Sequence, residues 1–127
     1  MASSAQYAST PISKGVIVST ANTNRDGTGT VAVLLPVQAS GCRIDDINVN
    51  AQVTTTGGMV RIFMRNGAIY YLLREIPVAA TIASATVPAF SIQLLNLAWV
   101  IEPGWELVVS TEKAEAFAFL ITRGGAL

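Results

Sequence analysis

Residues 58–74 read GMVRIFMRNGAIYYLLR. Asn66-Gly67 stands between two runs of β-branched, aromatic and long apolar residues. That dipeptide is the strongest short-range hairpin signal, because a type I′ turn needs positive φ at both central residues and Asn and Gly tolerate it best. A two-residue turn there predicts a register in which Arg65 faces Ala68, Met64 faces Ile69, Phe63 faces Tyr70, Ile62 faces Tyr71 and Val60 faces Leu73. One face of the hairpin then carries Val60, Ile62, Met64, Ile69, Tyr71 and Leu73 and belongs in a core. The other carries Arg61, Phe63, Arg65, Tyr70, Leu72 and Arg74, and three arginines among aromatics and a leucine do not make an ordinary wet face.

The same grammar continues on both sides. Strands are expected at 15–20, 29–35, 43–53, 59–65, 68–76, 90–100, 106–111 and 116–122, each short and bounded by turn residues. Asp26-Gly27 and Gly57-Gly58 punctuate two of the connections. Pro103-Gly104 suits the centre of a type II turn, and Lys113-Ala114 lies in a hairpin without a favoured turn dipeptide. Pro77 and its Thr and Val neighbours make 76–85 an extended connection rather than a helix. From Asp46 to Val53 alternation is strict, with Ile47, Val49, Ala51 and Val53 on one face and Asp46, Asn48, Asn50 and Gln52 on the other. Residues 90–100 change phase, Ile92 and Leu94 being even and Leu95, Leu97 and Trp99 odd, so a β-bulge is expected near Leu94-Leu95; the alternative is a strand buried on both faces. In 116–122 both faces are apolar, which predicts a strand covered on both sides.

These elements predict an all-β fold, an eight-stranded antiparallel two-sheet sandwich of jelly-roll type. A Greek-key immunoglobulin-like sandwich is the alternative, without the Cys–Trp–Cys pattern of true immunoglobulin domains. Residues 1–12, small and polar with Pro11 near the end, read as a flexible N-terminal arm, and 13–127 as one domain. No secretory signal, myristoylation start or apolar membrane span is read in the chain.

Composition narrows the function. Of the 127 residues 51% are hydrophobic and only 13% charged, eight Lys+Arg balance eight Asp+Glu, His is absent and Cys occurs once. A His-based triad, a His metal site, a Cys-rich zinc site and an intrachain disulfide are thereby excluded. A neutral chain is not a generic nucleic-acid binder. Average domains carry about 25% charged residues, so this deficit points to a surface covered by partners.

The remaining chemical signals favour bland readings. Asp45 and Asp46 are neighbours on a strand and point to opposite faces, one solvated and the other capping a turn or pairing with Arg43. Glu112 and Glu115 flank an exposed hairpin rather than a cleft. Cys42 has no base to activate it and reads as a small buried residue. Asn22, Asn24 and Asp26 superficially suit a calcium loop, but the twelfth-position Glu is replaced by Val33, so an Asx-turn loop is expected. Trp99 and Trp105 bracket the Pro-Gly turn and close one end of the sandwich, or else form a sugar platform. No catalytic, metal or cofactor-binding residue is assigned, and the chain is read as a non-enzyme. The face of Arg61, Phe63, Arg65, Tyr70 and Arg74 is the candidate protein interface; covering by the chain's own arm or a loop ranks second, nucleic acid third.

Five segments, NTNRDGTGT (22–30), GMVRIFMRNG (58–67), LLREIPV (72–78), SATVPAF (84–90) and PGWELVVSTEKAEAF (103–117), give the chain a resemblance to small proteins carried among the virion structural proteins of tailed bacteriophages and prophages. The resemblance spans most of 15–125 and rests on turn and strand signatures. It implies a capsid decoration, or cement, protein on the outer capsid surface, made in the host cytoplasm. Such proteins are commonly homotrimers bound to the major capsid protein, without nucleic acid or membrane. A carbohydrate- or host-binding module of a tail, and a tail or connector structural role, are the alternatives.

Overall fold

A computed structural model describes residues 10–127. All elements among them are strands: β1 Thr10–Pro11, β2 Gly15–Val18, β3 Ala32–Leu35, β4 Cys42–Ala51, β5 Gly58–Asn66, β6 Ile69–Val78, β7 Ser91–Leu94, β8 Trp99–Ile101, β9 Glu106–Thr111 and β10 Phe117–Ala126. They form two antiparallel sheets, a β-sandwich. One sheet runs β1-β10-β4-β7, with β2 also on β10 and β8 also on β4; the other runs β3-β9-β5-β6.

All eight expected strands are present, and the ten arise because the expected strand 90–100 is broken in two and Thr10–Pro11, in the expected arm, adds a short one. If β1 with β2 and β7 with β8 each count as one broken strand, the sheets read 1-8-3-6 and 2-7-4-5. First pairs with last (β2 on β10), second with seventh (β3 on β9), third with sixth (β4 on β7 and β8) and fourth with fifth (β5 on β6), all antiparallel. The chain is thus one long nested hairpin whose pairs are dealt alternately to the two sheets. The expected arm meets this framework before residue 12: Thr10 and Pro11 register with Ala126 and Gly125, and Ile12 is buried in the core. Residues 1–9 of that arm lie outside the described residues.

Period-two alternation builds the core. Ile47, Val49 and Ala51 of β4, Val60 and Ile62 of β5, Leu107 and Val109 of β9, and Phe117, Phe119 and Ile121 of β10 point between the sheets and are buried. Each of the larger side chains contributes roughly 1.5–3 kcal/mol by leaving water. Pro77, opposite Met59, is accommodated because β6 is an edge strand and its missing N–H breaks no ladder.

The hairpin corrects two expectations. Asn66 pairs with Ile69, so the turn is centred on Gly67-Ala68, with only Gly67 at positive φ (62°), as a type II′ turn requires. The register moves by two residues, Arg65 facing Tyr70 and Phe63 facing Leu72, which preserves which side chains share a face. A second irregularity does not: the register shifts between Ile62 and Phe63, so that Ile62 faces Arg74 and Arg61 faces Glu75. Beyond it the parity of β6 is inverted.

The phase change in 90–100 is resolved by a larger break than a one-residue bulge. Leu94 pairs with Ile47 and Trp99 with Ile44, and the four residues between bulge opposite Asp45 and Asp46 through Asn96 (φ 55°) and Ala98 (φ 52°), with the Leu97 amide still donating to the Asp45 carbonyl (2.8 Å). The neighbouring β10 is irregular at the same level, around Arg123. Asp45 and Asp46 sit at this shared fault. Asp45 is buried and pairs with Arg43 (Nε–Oδ2 3.1 Å), while Asp46 Oδ1 accepts from the Asn96 amide (3.0 Å). Simple alternation would hold the two carboxylates apart, yet the Arg123 Nε lies 3.9 Å from one and 3.7 Å from the other.

Candidate interaction face

β9, β5 and β6 present a second layer on the outside of their sheet. Cross-strand register aligns Val33, Val108, Phe63 and Leu72 in one apolar row. Above it Glu106, Arg65 and Tyr70 align; below it Ser110, Arg61 and Glu75 align. Phe63 and Val108 are fully buried, although neither belongs to the core between the sheets.

What covers them is the chain itself. After β2 the backbone reaches the far end of β9, where the Asn22 amide donates to the Thr111 carbonyl (2.8 Å). It then crosses to β6: Arg25 pairs with Glu75, and Gly27 is buried against Tyr70. It returns over β5 and β9 to begin β3 on the opposite edge. That crossing of three strand spacings is about 14 Å, and residues 27–32 reach only about 17 Å when extended, so the return lies close over Phe63 and Val108.

The strap, residues 22–30, is held by its own polar groups. Asn22 Nδ2 donates to the carbonyls of Thr28 (2.9 Å) and Thr30 (2.7 Å), and Asn22 Oδ1 accepts from the Asn24 amide. Asp26 Oδ1 accepts from the hydroxyl (2.6 Å) and amide (3.0 Å) of Thr28. Those bonds hold the Asp26 carboxyl below its usual range. The loop is therefore built from Asx turns, as its sequence suggests. Gly27 (φ 88°) and Gly29 (φ 85°) supply the left-handed positions.

The five sequence-selected residues fare differently. Arg61 is 2% exposed and Phe63 is fully buried. Arg65 is half-buried, bridging Glu106 (Nη2–Oε1 2.9 Å) and the Tyr70 hydroxyl (3.0 Å), with its guanidinium 5.4 Å from the Tyr70 ring centroid. Tyr70 meets Phe63 edge to face at 6.4 Å. Arg74 leaves the group, because the register shift places it opposite the inward-facing Ile62, exposed on the edge strand. Glu75 takes its place opposite Arg61. Its Oε2 accepts from Arg25 Nε (3.0 Å) and from Arg61 Nε (3.2 Å). The Arg25 bond, with help from Arg61 and against some desolvation, lowers the Glu75 pKa. Among the described residues, Arg61 Nη1 and the Ser110 hydroxyl are buried without a hydrogen-bond partner.

No family model matches the chain, and no curated protein matches it.

Glu75, Glu106, Arg25 and Ser110 were not singled out from sequence. Alternation of Glu106, Val108 and Ser110 along one strand was the available signal for two of them. Glu75 was hidden by the register shift and Arg25 by its place in a loop.

Two further surfaces complete the map. The outer face of the other sheet carries two uncharged rows, Ile17–Ala118–Asn50–Ser91 and Gly15–Leu120–Asn48–Gln93. Leu120, on a strand inside that sheet, is 45% exposed, its side chain lying over Gly15. At the hairpin end an open cleft of about 590 Å³ is lined by Met64, Val100, Pro103, Trp105 and Leu127, among others. Trp105 stacks at 40° and 5.7 Å on the exposed Tyr71 ring and donates its indole N–H to Glu102. Trp99 packs instead against the core.

Proposed function

We propose that the chain is a non-enzymatic structural subunit of a phage virion, a capsid decoration protein on a jelly-roll scaffold. The strand orders 1-8-3-6 and 2-7-4-5 are those of a nested hairpin wound into two sheets, which supports the jelly-roll assignment. The observation that carries the assembly reading is the outer face of the β10 sheet. Its two uncharged rows run across all four strand positions, and its interior strand leaves Leu120 open beside Ile17. A monomer gains nothing from an uncharged face with Leu120 and Ile17 open on it; a second copy of the chain covers it.

The subunit is then two-sided. The β10 face meets other copies in a homo-oligomer, with a trimer favoured, and the strap side, where Arg65 and Tyr70 are partly accessible, faces the major capsid protein. Bridging neighbouring capsomers multiplies modest affinities, because shell rupture must break many contacts at once. The test is native mass across a dilution series, followed by co-sedimentation with shells that lack the protein. A discrete oligomer that Leu120→Glu dissolves, and that pellets with the shells, is expected. A monomer at every concentration rejects the reading.

The Tyr71–Trp105 pair beside its cleft favours one second reading, a carbohydrate-binding module. Saturable changes of tryptophan fluorescence with a glycan, abolished by Tyr71→Ala, would favour it over the structural role.

A further inference from the structure

The strap is an odd cover for what lies beneath it. Residues 22–30 include no apolar residue, yet they shield Val108 and Phe63. Closure buries Gly27 and the Asn22 side chain while the other strap residues stay exposed. In the row they share with Glu75, Arg61 Nη1 and Ser110 Oγ are buried without partners among the described residues. Arg25 and Arg61 share a single Glu75 oxygen, and opening the strap takes Arg25 away from it. Polar loops that bury little of their own surface open at low cost. A face with unmet donors, one of them on a guanidinium, gains most from a partner that brings an anionic acceptor.

We propose that the 22–30 strap is a displaceable cover, and that the face beneath it is a docking site for a polypeptide segment carrying an apolar side chain beside a carboxylate. The apolar side chain takes the place of the strap over Phe63 and Val108. The carboxylate accepts from Arg61 Nη1 and the Ser110 hydroxyl. The partner identity rests on the virion reading, in which this side of the subunit meets another structural protein; the strap mechanism does not. The apparent affinity of such a site is reduced by the fraction of time it stands closed, so variants that open the strap bind better.

Two variants open it by different means. Gly27→Val places a side chain into the Tyr70 ring, and Asn22→Ala removes the bonds that shape the loop. The probes are acetylated, amidated pentapeptides with a central Leu or Phe flanked by Asp, and the same peptides with Asn as controls, titrated at millimolar concentration by NMR. Both variants are expected to bind the acidic peptides at least tenfold more tightly than the parent chain. Adding Arg61→Gln abolishes the gain, and the Asn peptides do not bind. Equal affinity for parent and opened variants, binding of the Asn controls, or no binding overturns the proposal. Should neither variant fold, amide exchange in the parent chain decides the cover. The amides of Asn22, Asn24 and Thr28 are expected to exchange by local opening, far faster than those of β9. Exchange of both sets only through global unfolding overturns it. A monomeric protein that passes these tests would sink the assembly reading and leave the strap intact; an oligomer that fails them would do the reverse.

Discussion

Gly27 is seated directly on the ring of Tyr70: a Cβ built on that glycine falls 2.2 Å from Tyr70 Cγ. The φ of 88° is also one that L side chains rarely adopt. Gly27→Ala is therefore expected to destabilise the closed strap by roughly 1–2 kcal/mol from the left-handed backbone alone, and more from the overlap. The loss in global stability is capped by the free energy of strap opening, because an opened loop escapes both penalties. Amide exchange read residue by residue checks this. Protection falls at Asn22, Asn24 and Thr28 while β9 and β10 keep theirs. A uniform fall across the domain would show that the strap is not an independent unit.

Acid should act on the same loop. Glu75 is held below its usual range first by Arg25 and further by Arg61, and Asp26 by the Thr28 hydroxyl and amide. A carboxylate whose pKa is lower folded than unfolded contributes stability above its unfolded pKa. That contribution is lost as pH falls through the folded value. The strap is thus expected to loosen below the ordinary carboxylate range while the core persists. Following the Thr28 amide resonance through an acid titration checks the direction, and Glu75→Gln should remove the Glu75 part of the transition.

Most of the fold was legible because alternation and turn chemistry are local. Ile47, Val49 and Ala51 point inward as their spacing requires, and Gly104 takes positive φ (96°) after Pro103. The hairpin register was misread because Gly67-Ala68 serves as a type II′ turn as well as Asn66-Gly67 serves type I′, and local sequence does not choose between them. The shift after Ile62 was not legible either, since Leu72, Leu73 and Arg74 alternate no more clearly in one register than another. That single slip exchanged Arg74 for Glu75 at the candidate face. The strap was legible as Asx turns but not as a cover, because its resting place depends on β6, far away in sequence.

Cys42 is fully buried, and burial pushes its thiol above the ordinary range. Thiol reagents are expected to modify it only when the protein opens, at a rate that tracks unfolding. The sign of the linkage is opposite to that of Glu75. A thiol whose folded pKa is raised contributes stability below its unfolded pKa, and the contribution fades as pH rises through the folded value. Labelling with a chromogenic disulfide reagent across a urea series checks this. Full-rate labelling without denaturant would place the sulfur at the surface.

Phe119 and Leu120 are neighbours on β10 with opposite fates, one buried between the sheets and the other open on the outer face. Phe119→Ala is expected to cost about 3–5 kcal/mol, as deletion of a large buried aromatic does, and urea denaturation measures it. Leu120→Glu, measured on dilute monomer, should change stability by no more than about 0.5 kcal/mol, since it alters an exposed position. Its effect belongs to association: a charge on the uncharged rows must be desolvated when a second copy covers them. Sedimentation velocity at matched concentrations separates the two. If Leu120→Glu leaves the oligomer intact, the β10 face is not the contact between copies, and the apolar residues there need another explanation. If it dissolves the oligomer while the melting curve of the dilute protein stays put, the exposed uncharged rows are reserved for assembly rather than for the fold.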